Sequence, residues 1–441
     1  MELQPYQDTS HLLNAIPLPD LVLLRQRFPH TQLNDISGAV VTALDGAGVQ
    51  AKIPSGARIA VAVGSRGIAN IATIVQAVVA TLRRYGAEPF IVPAMGSHGG
   101  ATPKGQRAVL ETLGVTEEAM GAPIISSLVV DQLGTLPNGL PVHIDREAHN
   151  ADGIFVINRI KPHTDFTAPI ESGLSKMLAI GLGKHAGALT IHSWGLEGLV
   201  GQIAEVARFV IAHTNVLGGL AILENARDEV AEIVAVAPED IGNEVEVQLQ
   251  ERAKAMIPHL PWDSLDVLII DKMGKNISGA GMDPNITGRL RFGEKPNVAR
   301  ITNMTIHDLT EESHGNAIGI GAADFTTQRL VSKMDFQYTY INALTAGVIS
   351  MDAAKVPITC ATDRQAIAAA IRSSGRPDYT QVQVVRIENT LRLEYILAST
   401  NSLDAIRSDS HVEVLGKPLP FPIDPRDDSL IPFATLQMSR A

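Results

Sequence analysis

The sequence predicts an α/β protein with two α/β domains, each built on a largely parallel sheet. Compact apolar runs that end in glycine alternate with amphipathic stretches of helical spacing, which is the pattern of buried parallel strands joined by crossover helices. The 441 residues are enough for two such domains. We place the boundary at segment 260–263, which gives domains at 1–262 and 263–441. We expect an active-site cleft between them and allow the tail to return to the first domain.

The first domain is expected to begin with an irregular arm and a short helix over its first 40 residues. The helix predicted at 70–85 illustrates the reasoning, because Asn70 is placed to cap it, Gly86 to end it, and its apolar residues share one face. Strands are predicted at 57–63, 89–95, 123–130, 153–157, 217–223 and 230–236, and further helices at 104–113, 197–213 and 238–257.

The second domain is predicted to open on a buried strand at 265–270 and to repeat the same alternation. Further strands are expected at 336–341 and 381–387, with a helix at 363–372 between them. The proline-rich stretch 418–432 is expected to be irregular.

The charge balance limits the classes of partner. The chain has 36 Lys and Arg against 47 Asp and Glu, a net charge of −11 at pH 7, so we expect neither a nucleic-acid nor a membrane partner. The one cysteine, Cys360, excludes an intramolecular disulfide and a multi-cysteine metal site. The first residues lack a signal-peptide pattern, and no apolar run reaches the ~18 residues of a membrane span. We therefore expect a cytoplasmic protein.

Four predicted strands lead directly into glycine with functional side chains. These segments are Gly64-Ser65-Arg66-Gly67, Gly96-Ser97-His98-Gly99-Gly100, residues 158–165 and residues 271–276. Ligands of open parallel sheets bind at the carboxyl ends of the strands, where glycine allows a close approach of the backbone. The cationic and imidazole groups in these loops favour an anionic ligand such as a carboxylate or phosphate; they are Arg66, His98, Arg159, Lys161, His163 and Lys275.

The densest group of functional residues lies between 164 and 192. Three glycines in the seven residues 181–187 prevent one continuous helix, and a chain that turns back there brings His192 towards Lys176. Ser172, Gly173 and Ser175 are candidate phosphate donors at a helix start. The spacings of a Walker phosphate loop, a G-x-G-x-x-G turn after the first strand and an H-E-x-x-H zinc motif are absent from the sequence.

With these residues, the sequence resembles the nickel-pincer-nucleotide lactate racemase family. The resemblance is carried by Ser65-Arg66, Gly96-Ser97-His98, His163, residues 172–176 and His192, which stands sixteen residues after Lys176. It extends in order over most of residues 55–290. The spacing from the lysine to the last histidine is its most specific element.

The resemblance implies a cofactor and a role for each residue. The family's cofactor is a pyridinium-3,5-bisthiocarboxylic acid mononucleotide that holds one nickel ion. Lys176 matches the lysine that attaches it covalently, and His192 matches the histidine that binds the nickel. His98 and His163 match the acid/base pair, Arg66 matches an arginine near the substrate carboxylate, and Lys275 loosely matches a lysine of the second domain. Ser65, Ser172, Gly173 and Ser175 are expected to contact the cofactor.

The reaction implied by the resemblance is the racemisation or epimerisation of a small-molecule 2-hydroxy acid. Hydride leaves the carbinol carbon and returns to the other face, and because no side chain accepts hydride, a cofactor is required. Dedicated maturation enzymes are then partners, and protein made in an ordinary host is expected to lack the cofactor. Val63 stands where lactate racemases carry aspartate, and Arg159 and Lys161 add charge, which indicates a different substrate such as a polyhydroxy or dicarboxylic acid.

Three other functions remain open from the sequence. The same site is compatible with another reaction on the cofactor, such as sugar-acid epimerisation or an elimination. A zinc hydrolase would use His98, His163 and His192 as metal ligands. A protein that stores or senses the cofactor or an organic acid would bind its ligand without turnover.

Overall fold

The computed structural model of the chain describes residues 10–65 and 67–438. Arg66 therefore lies outside the described residues. The chain forms two compact units. The continuous unit comprises residues 29–257, and the composite unit joins the residues up to 28 with those from 258 onwards. The change of unit at 257/258 lies close to the predicted boundary, but the N-terminal segment belongs with the C-terminal half rather than with the first domain.

The bounds of the elements are as follows. The strands are β1 Leu21–Gln26, β2 Arg58–Val63, β3 Glu88–Pro93, β4 Val130–Thr135, β5 Pro141–Asp145, β6 Gly153–Arg159, β7 Val216–Glu224, β8 Val230–Val236, β9 Ser264–Met273, β10 Arg300–Leu309, β11 Phe325–Thr327, β12 Ile358–Cys360, β13 Val384–Ile387, β14 Tyr395–Ser399 and β15 Val412–Leu419. The helices are α1 Ser10–Asn14, α2 Ile36–Gly46, α3 Ile71–Arg84, α4 Pro103–Thr112, α5 Glu117–Met120, α6 Arg146–His149, α7 Leu174–Lys176, α8 Lys184–Ser193, α9 Gly195–Glu197, α10 Ile203–His213, α11 Glu244–Met256, α12 Pro284–Thr287, α13 Gln328–Ser332, α14 Phe336–Ala346, α15 Asp363–Arg372 and α16 Phe433–Met438.

The continuous unit is built on a five-stranded sheet of order β3-β2-β6-β7-β8. The pairs β3/β2, β2/β6 and β6/β7 are parallel, and β8 adds an antiparallel edge. Strand β2 is the run RIAVAV, of which only Arg58 is exposed, as expected of a strand covered on both faces. Helix α3 buries its apolar face, including Ile74 and Val78, in the same core.

The composite unit is built on an eight-stranded mixed sheet of order β12-β11-β10-β9-β13-β14-β1-β15. Strands β12, β11, β10, β9 and β13 are parallel neighbours. Strand β14 pairs with β13 and β1 in the antiparallel sense, and β1 also pairs with β15. The predicted α/β class with largely parallel sheets is confirmed.

Some predicted elements differ from those observed. Residues 336–341, which are predicted as a strand, begin helix α14 instead, and the side chain of Asp335 before it accepts a hydrogen bond from the amide of Tyr338. The strand expected at 123–130 is reduced to an isolated parallel bridge of Ile124 with Ile91 of β3, and an antiparallel hairpin of β4 and β5 follows it. Asn70 takes a left-handed conformation with φ of 57° and makes no side-chain cap. Among the described residues, no helix combines the length and apolar character needed to cross a membrane.

The composite unit is expected to depend on its N-terminal strand. Leu24 is fully buried in β1, opposite Ile396 of β14 and Val414 of β15. The change Leu24→Ala removes buried methyl groups and leaves a cavity, so it should lower the free energy of unfolding by about 2–5 kcal/mol. Urea unfolding monitored by hydrogen exchange should show faster exchange in β14 and unchanged exchange in β2. The control Leu12→Ala, at a residue that is 40% exposed, should change neither; equal effects of the two variants would contradict this role of β1.

Candidate active site

The three parallel strands β3, β2 and β6 bring three predicted site loops to one edge of the sheet. They are adjacent in that order, and their ends at Val63, Pro93 and Arg159 are followed by the loops of Ser65, His98 and His163. Since parallel neighbours end on the same side, these loops lie together.

A direct hydrogen bond joins the loops that follow β2 and β3. It links the hydroxyl of Ser65 to Nδ1 of His98, and the His98 residue is exposed to solvent. The loop of His98 begins at Gly96, which has φ of 57°, and a Cβ there would lie 3.1 Å from Cγ2 of Ile180. Glycine is thus required for the loop to pack against the segment between Lys176 and His192.

The His163 loop is held from within the protein by a buried carboxylate. Glu171 is 1% exposed, and its carboxylate accepts hydrogen bonds from the amides of His163, at 2.7 Å, and Ala168, at 3.1 Å. Lys254 of α11 lies 3.1 Å from the same carboxylate. The ring of His163 stacks on Phe166 at 4.2 Å. The backbone of this loop is therefore fixed while its imidazole remains only partly buried.

The amide of Asp165 determines which nitrogen of His163 carries a proton in the neutral ring. It donates to Nδ1 of His163 at 3.1 Å. Because an amide can only donate, Nδ1 accepts, and the neutral imidazole carries its proton on Nε2.

The segment from Lys176 to His192 is broken, as the glycines predict. Helix α7 passes into a π-helical stretch at Met177–Gly181. Helix α8 then starts at Lys184, a non-glycine residue with φ of 53°. Lys176 therefore lies on one short helix and His192 near the end of the next.

Charged groups on two neighbouring segments influence the pKa of His192. Partial desolvation lowers the pKa of His192 below its ordinary value, and the positive charge of Lys176 lowers it further. The carboxylate of Asp165 acts in the opposite direction. The residue still contacts solvent. Desolvation and the amine of Lys176 thus favour the neutral imidazole, and the carboxylate of Asp165 opposes them.

The expected phosphate donors at the start of α7 are used inside the protein. The amide of Ser175 donates to Oε1 of Glu246 at 3.0 Å, and its hydroxyl donates to Oε2 of the same residue. A Cβ on Gly173 would also collide with this carboxylate. The hydroxyl of Ser172 bonds to both the amide and the carbonyl of Lys161. The geometry therefore gives no support to Ser172, Gly173 and Ser175 as phosphate ligands.

The additional cations also have acidic partners. Arg159 forms an ion pair with Glu224, and both side chains are largely buried. Lys161 lies 3.6 Å from Asp228. Arg159 is therefore neutralised within the protein, so it is a poor candidate for a second substrate carboxylate.

Lys275 lies in the composite unit, just after β9. Its amide donates to the hydroxyl of Ser313 at 2.9 Å, and its Nζ donates to the carbonyl of Gly279 at 2.6 Å. Its predicted catalytic role is not tested by these contacts, which describe its own loop.

Two buried carboxylates that position the site were missed from the sequence. No role is predicted for Glu171 from the sequence, and Glu246 is predicted only as part of the helix at 238–257. The signal for Glu246 was available, because it shares a helix face with Leu249, Gln250 and Ala253, which are all buried. A carboxylate at a core-facing position requires partners, and here these are the amides of Ser175 and Gly242.

No group of three or more His, Cys, Asp or Glu side chains suited to a metal ion occurs within 10–65 and 67–438.

The electrostatic coupling at His192 can be measured on the protein without cofactor. Lys176→Met removes a positive charge that lowers the pKa of His192, so that pKa should rise towards its ordinary value. Asp165→Asn should lower it instead. An NMR titration of the ring, identified with His192→Ala, gives both values, and the exposed Lys52→Met serves as the control. An unchanged pKa in Lys176→Met would mean that the amine is distant from the imidazole.

One family model matches the part of the chain that carries these residues. Residues 22–196 match the family model of the lactate racemase N-terminal domain. One similar solved structure is the lactate racemase apoprotein from Thermoanaerobacterium thermosaccharolyticum, which is 13% identical, with 82% of this chain and 84% of that chain covered and a TM-score of 0.46. No curated protein matches the chain significantly in sequence. Residues 22–196 are therefore similar to the lactate racemase N-terminal domain, a match that spans less than half of the chain.

Proposed function

We propose that this protein is an isomerase that racemises or epimerises a 2-hydroxy acid. The observation that carries the proposal is the grouping of the Ser65–His98 pair, the His163 loop and the coupled Lys176 and His192 within the segment that matches the lactate racemase domain. Two imidazoles are the side chains best suited to exchange a hydroxyl proton near neutral pH.

The nickel-pincer nucleotide of the family fits part of this arrangement. Lys176 would attach it, and His192 would bind its nickel, because an imidazole with a lowered pKa is neutral at pH 7 and retains the lone pair that a metal requires. When bound, the group supplies the hydride acceptor that no side chain provides. The fit does not extend to the nucleotide phosphate, since the donors of Ser172 and Ser175 are engaged elsewhere.

The two histidines exchange the hydroxyl proton, and for His98 we assign the exchange to Nε2 because its Nδ1 is held by the hydroxyl of Ser65. In His163, Nδ1 accepts from the amide of Asp165 and the neutral ring carries its proton on Nε2, so this ring has to release the amide before Nε2 is able to accept the hydroxyl proton. Such contacts fix ring orientation, which a proton transfer requires. One base on each side of the substrate is needed, since the hydroxyl is on opposite sides in the two enantiomers.

The substrate is proposed to carry one carboxylate, with or without additional hydroxyl groups. Arg66, which follows Ser65 in the chain, is the candidate to bind it in a bidentate fork. A dicarboxylic acid loses its main support because Arg159 is paired with Glu224.

The proposed reaction predicts inversion without exchange of the carbon-bound hydrogen. Protein produced together with the cofactor-maturation enzymes should interconvert the two forms of a 2-hydroxy acid deuterated at C2 and retain the deuterium in ordinary water. His98→Asn and His163→Asn should each lower kcat by about 10²–10⁴-fold, whereas His213→Asn should not. Chiral chromatography with mass detection measures both quantities. Loss of the deuterium to solvent, or binding without turnover, would reject the proposal.

The attachment of the cofactor predicts a mass increase that depends on one lysine. The wild-type chain produced with the maturation enzymes should show a covalent adduct in intact mass spectrometry, and Lys176→Ala should lack it. His192→Ala should keep the adduct but retain less nickel, as measured by metal analysis. The nearby Lys161→Ala is the control and should keep both. A fully active Lys176→Ala protein would exclude this assignment.

A further inference from the structure

A fully buried polar network lies behind the loop of His98. Its members are Asp145 at the end of β5, Lys184 at the start of α8 and Gln106 in α4, each 0% exposed. The Nζ of Lys184 lies 3.1 Å from Oδ2 of Asp145 and also donates to the carbonyl of Pro93, the last residue of β3. It further donates to Oε1 of Gln106 at 3.4 Å.

The amide of Gln106 connects this ion pair to the catalytic loop. Its oxygen accepts from Lys184, while its Nε2 donates to the carbonyl of Gly96 at 2.8 Å and to that of His98 at 3.3 Å. The carboxamide oxygen of Gln106 therefore contacts the buried lysine, and its nitrogen contacts the backbone of the loop.

The loop needs such external bonds because its own backbone is strained. Gly96, Gly99, Gly100 and Ala101 all have φ between 49° and 65°, in the left-handed region that costs free energy for a residue such as Ala101. Its internal backbone bonds are short-range turns, from the amide of His98 to Met95 and from that of Ala101 to Ser97. Local structure alone does not fix where His98 lies.

The position of Lys184 extends the connection to the metal-binding side of the site. This residue begins α8 with φ of 53°, and the same helix carries His192. Its amine is desolvated, which lowers its pKa, and Asp145 acts to raise it. A buried ion pair is a weak source of stability compared with apolar packing, so a role in fixing the geometry explains its presence better.

We propose that Gln106, oriented by the Lys184–Asp145 pair, is a positioning residue that fixes the backbone of the His98 loop relative to helix α8. Its effect on catalysis rests on the function proposed for His98. Gln106 does not touch the reacting atoms; it determines where the His98 imidazole is placed.

Two substitutions at residue 106 separate its two ends. Gln106→Leu preserves approximate volume and removes both interactions. Gln106→Glu keeps an acceptor for Lys184 but, as a carboxylate beside an ammonium group, no longer donates to the carbonyls of Gly96 and His98. Both variants should therefore release the loop if donation to the carbonyls is what matters, whereas only Gln106→Leu should do so if Gln106 merely solvates the lysine.

Hydrogen exchange of the unloaded protein gives a readout that does not depend on activity. In both variants the amides of residues 95–101 should exchange roughly 5–10-fold faster, as expected for the loss of one or two hydrogen bonds, while those of β2 should not change. In the loaded enzyme kcat should fall on the order of 10–100-fold with KM nearly unchanged, because a small displacement of an acid/base group affects the chemical step most.

The matched control is Gln26→Leu in the composite unit. Gln26 is 5% exposed, and its Nε2 donates to the carbonyl of Leu393 at 2.7 Å, so this change also removes a buried amide-to-carbonyl bond. It should lower stability without altering kcat or exchange at 95–101. The proposal would be overturned if Gln106→Glu kept the exchange rates and the kcat of the wild type. It would also be overturned if Gln106→Leu and Gln26→Leu had equal effects on kcat. If the wild type shows no racemase activity but the amides of 95–101 exchange faster in the two Gln106 variants, the positioning role stands and the proposed function fails.

Discussion

One constraint determines where the candidate site residues lie. It is the backbone hydrogen bonding of β2 to β3 on one side and to β6 on the other. The ladder aligns Val63 with Pro93 and with Ile157, so the three strands end almost level. The loops that leave them carry Ser65, His98 and His163, which are far apart in the sequence. The parallel register therefore sets the spacing of the proposed acid/base groups before any side-chain contact is made.

Buried carboxylates stabilise three irregular segments, which are the His163 loop, the His98 loop and the start of α7. Glu171 holds the amides of the His163 loop, and Asp145 compensates the lysine behind the His98 loop. Glu246 accepts from the start of the helix that carries Lys176; burial raises its pKa, while bonds from Ser175, Gly242 and Leu174 act against that rise. A segment with few regular backbone bonds has to satisfy its amides in some other way, and in this protein side-chain oxygens from distant elements do so.

Local patterns predicted most of the continuous unit but not the contacts that complete its site. The apolar runs at β2, β3 and β6 and the glycine break before α8 were readable because each is encoded within a few residues. Glu246 lies 71 residues from Ser175, and no local pattern pairs the two. Helix α14 was misread because Phe336, Tyr338, Tyr340 and Ile341 have strand-like side chains, whereas only Thr339 and Ala343 on it are buried. The position of β1 was also beyond reach, since its partners lie at the other end of the chain.

The placement of β1 has a consequence for how the chain folds during its synthesis. Arg25 of this strand meets Glu394, 369 positions later, so β1 leaves the ribosome long before the strands that become its neighbours. All of the continuous unit emerges in between and is able to fold first, as domains generally do during translation. The apolar residues of β1 meanwhile remain without their sheet. The entropic cost of closing so long a loop is smaller once the intervening chain is compact. Early folding of the continuous unit thus makes it easier for β1 to pair with its sheet in the composite unit.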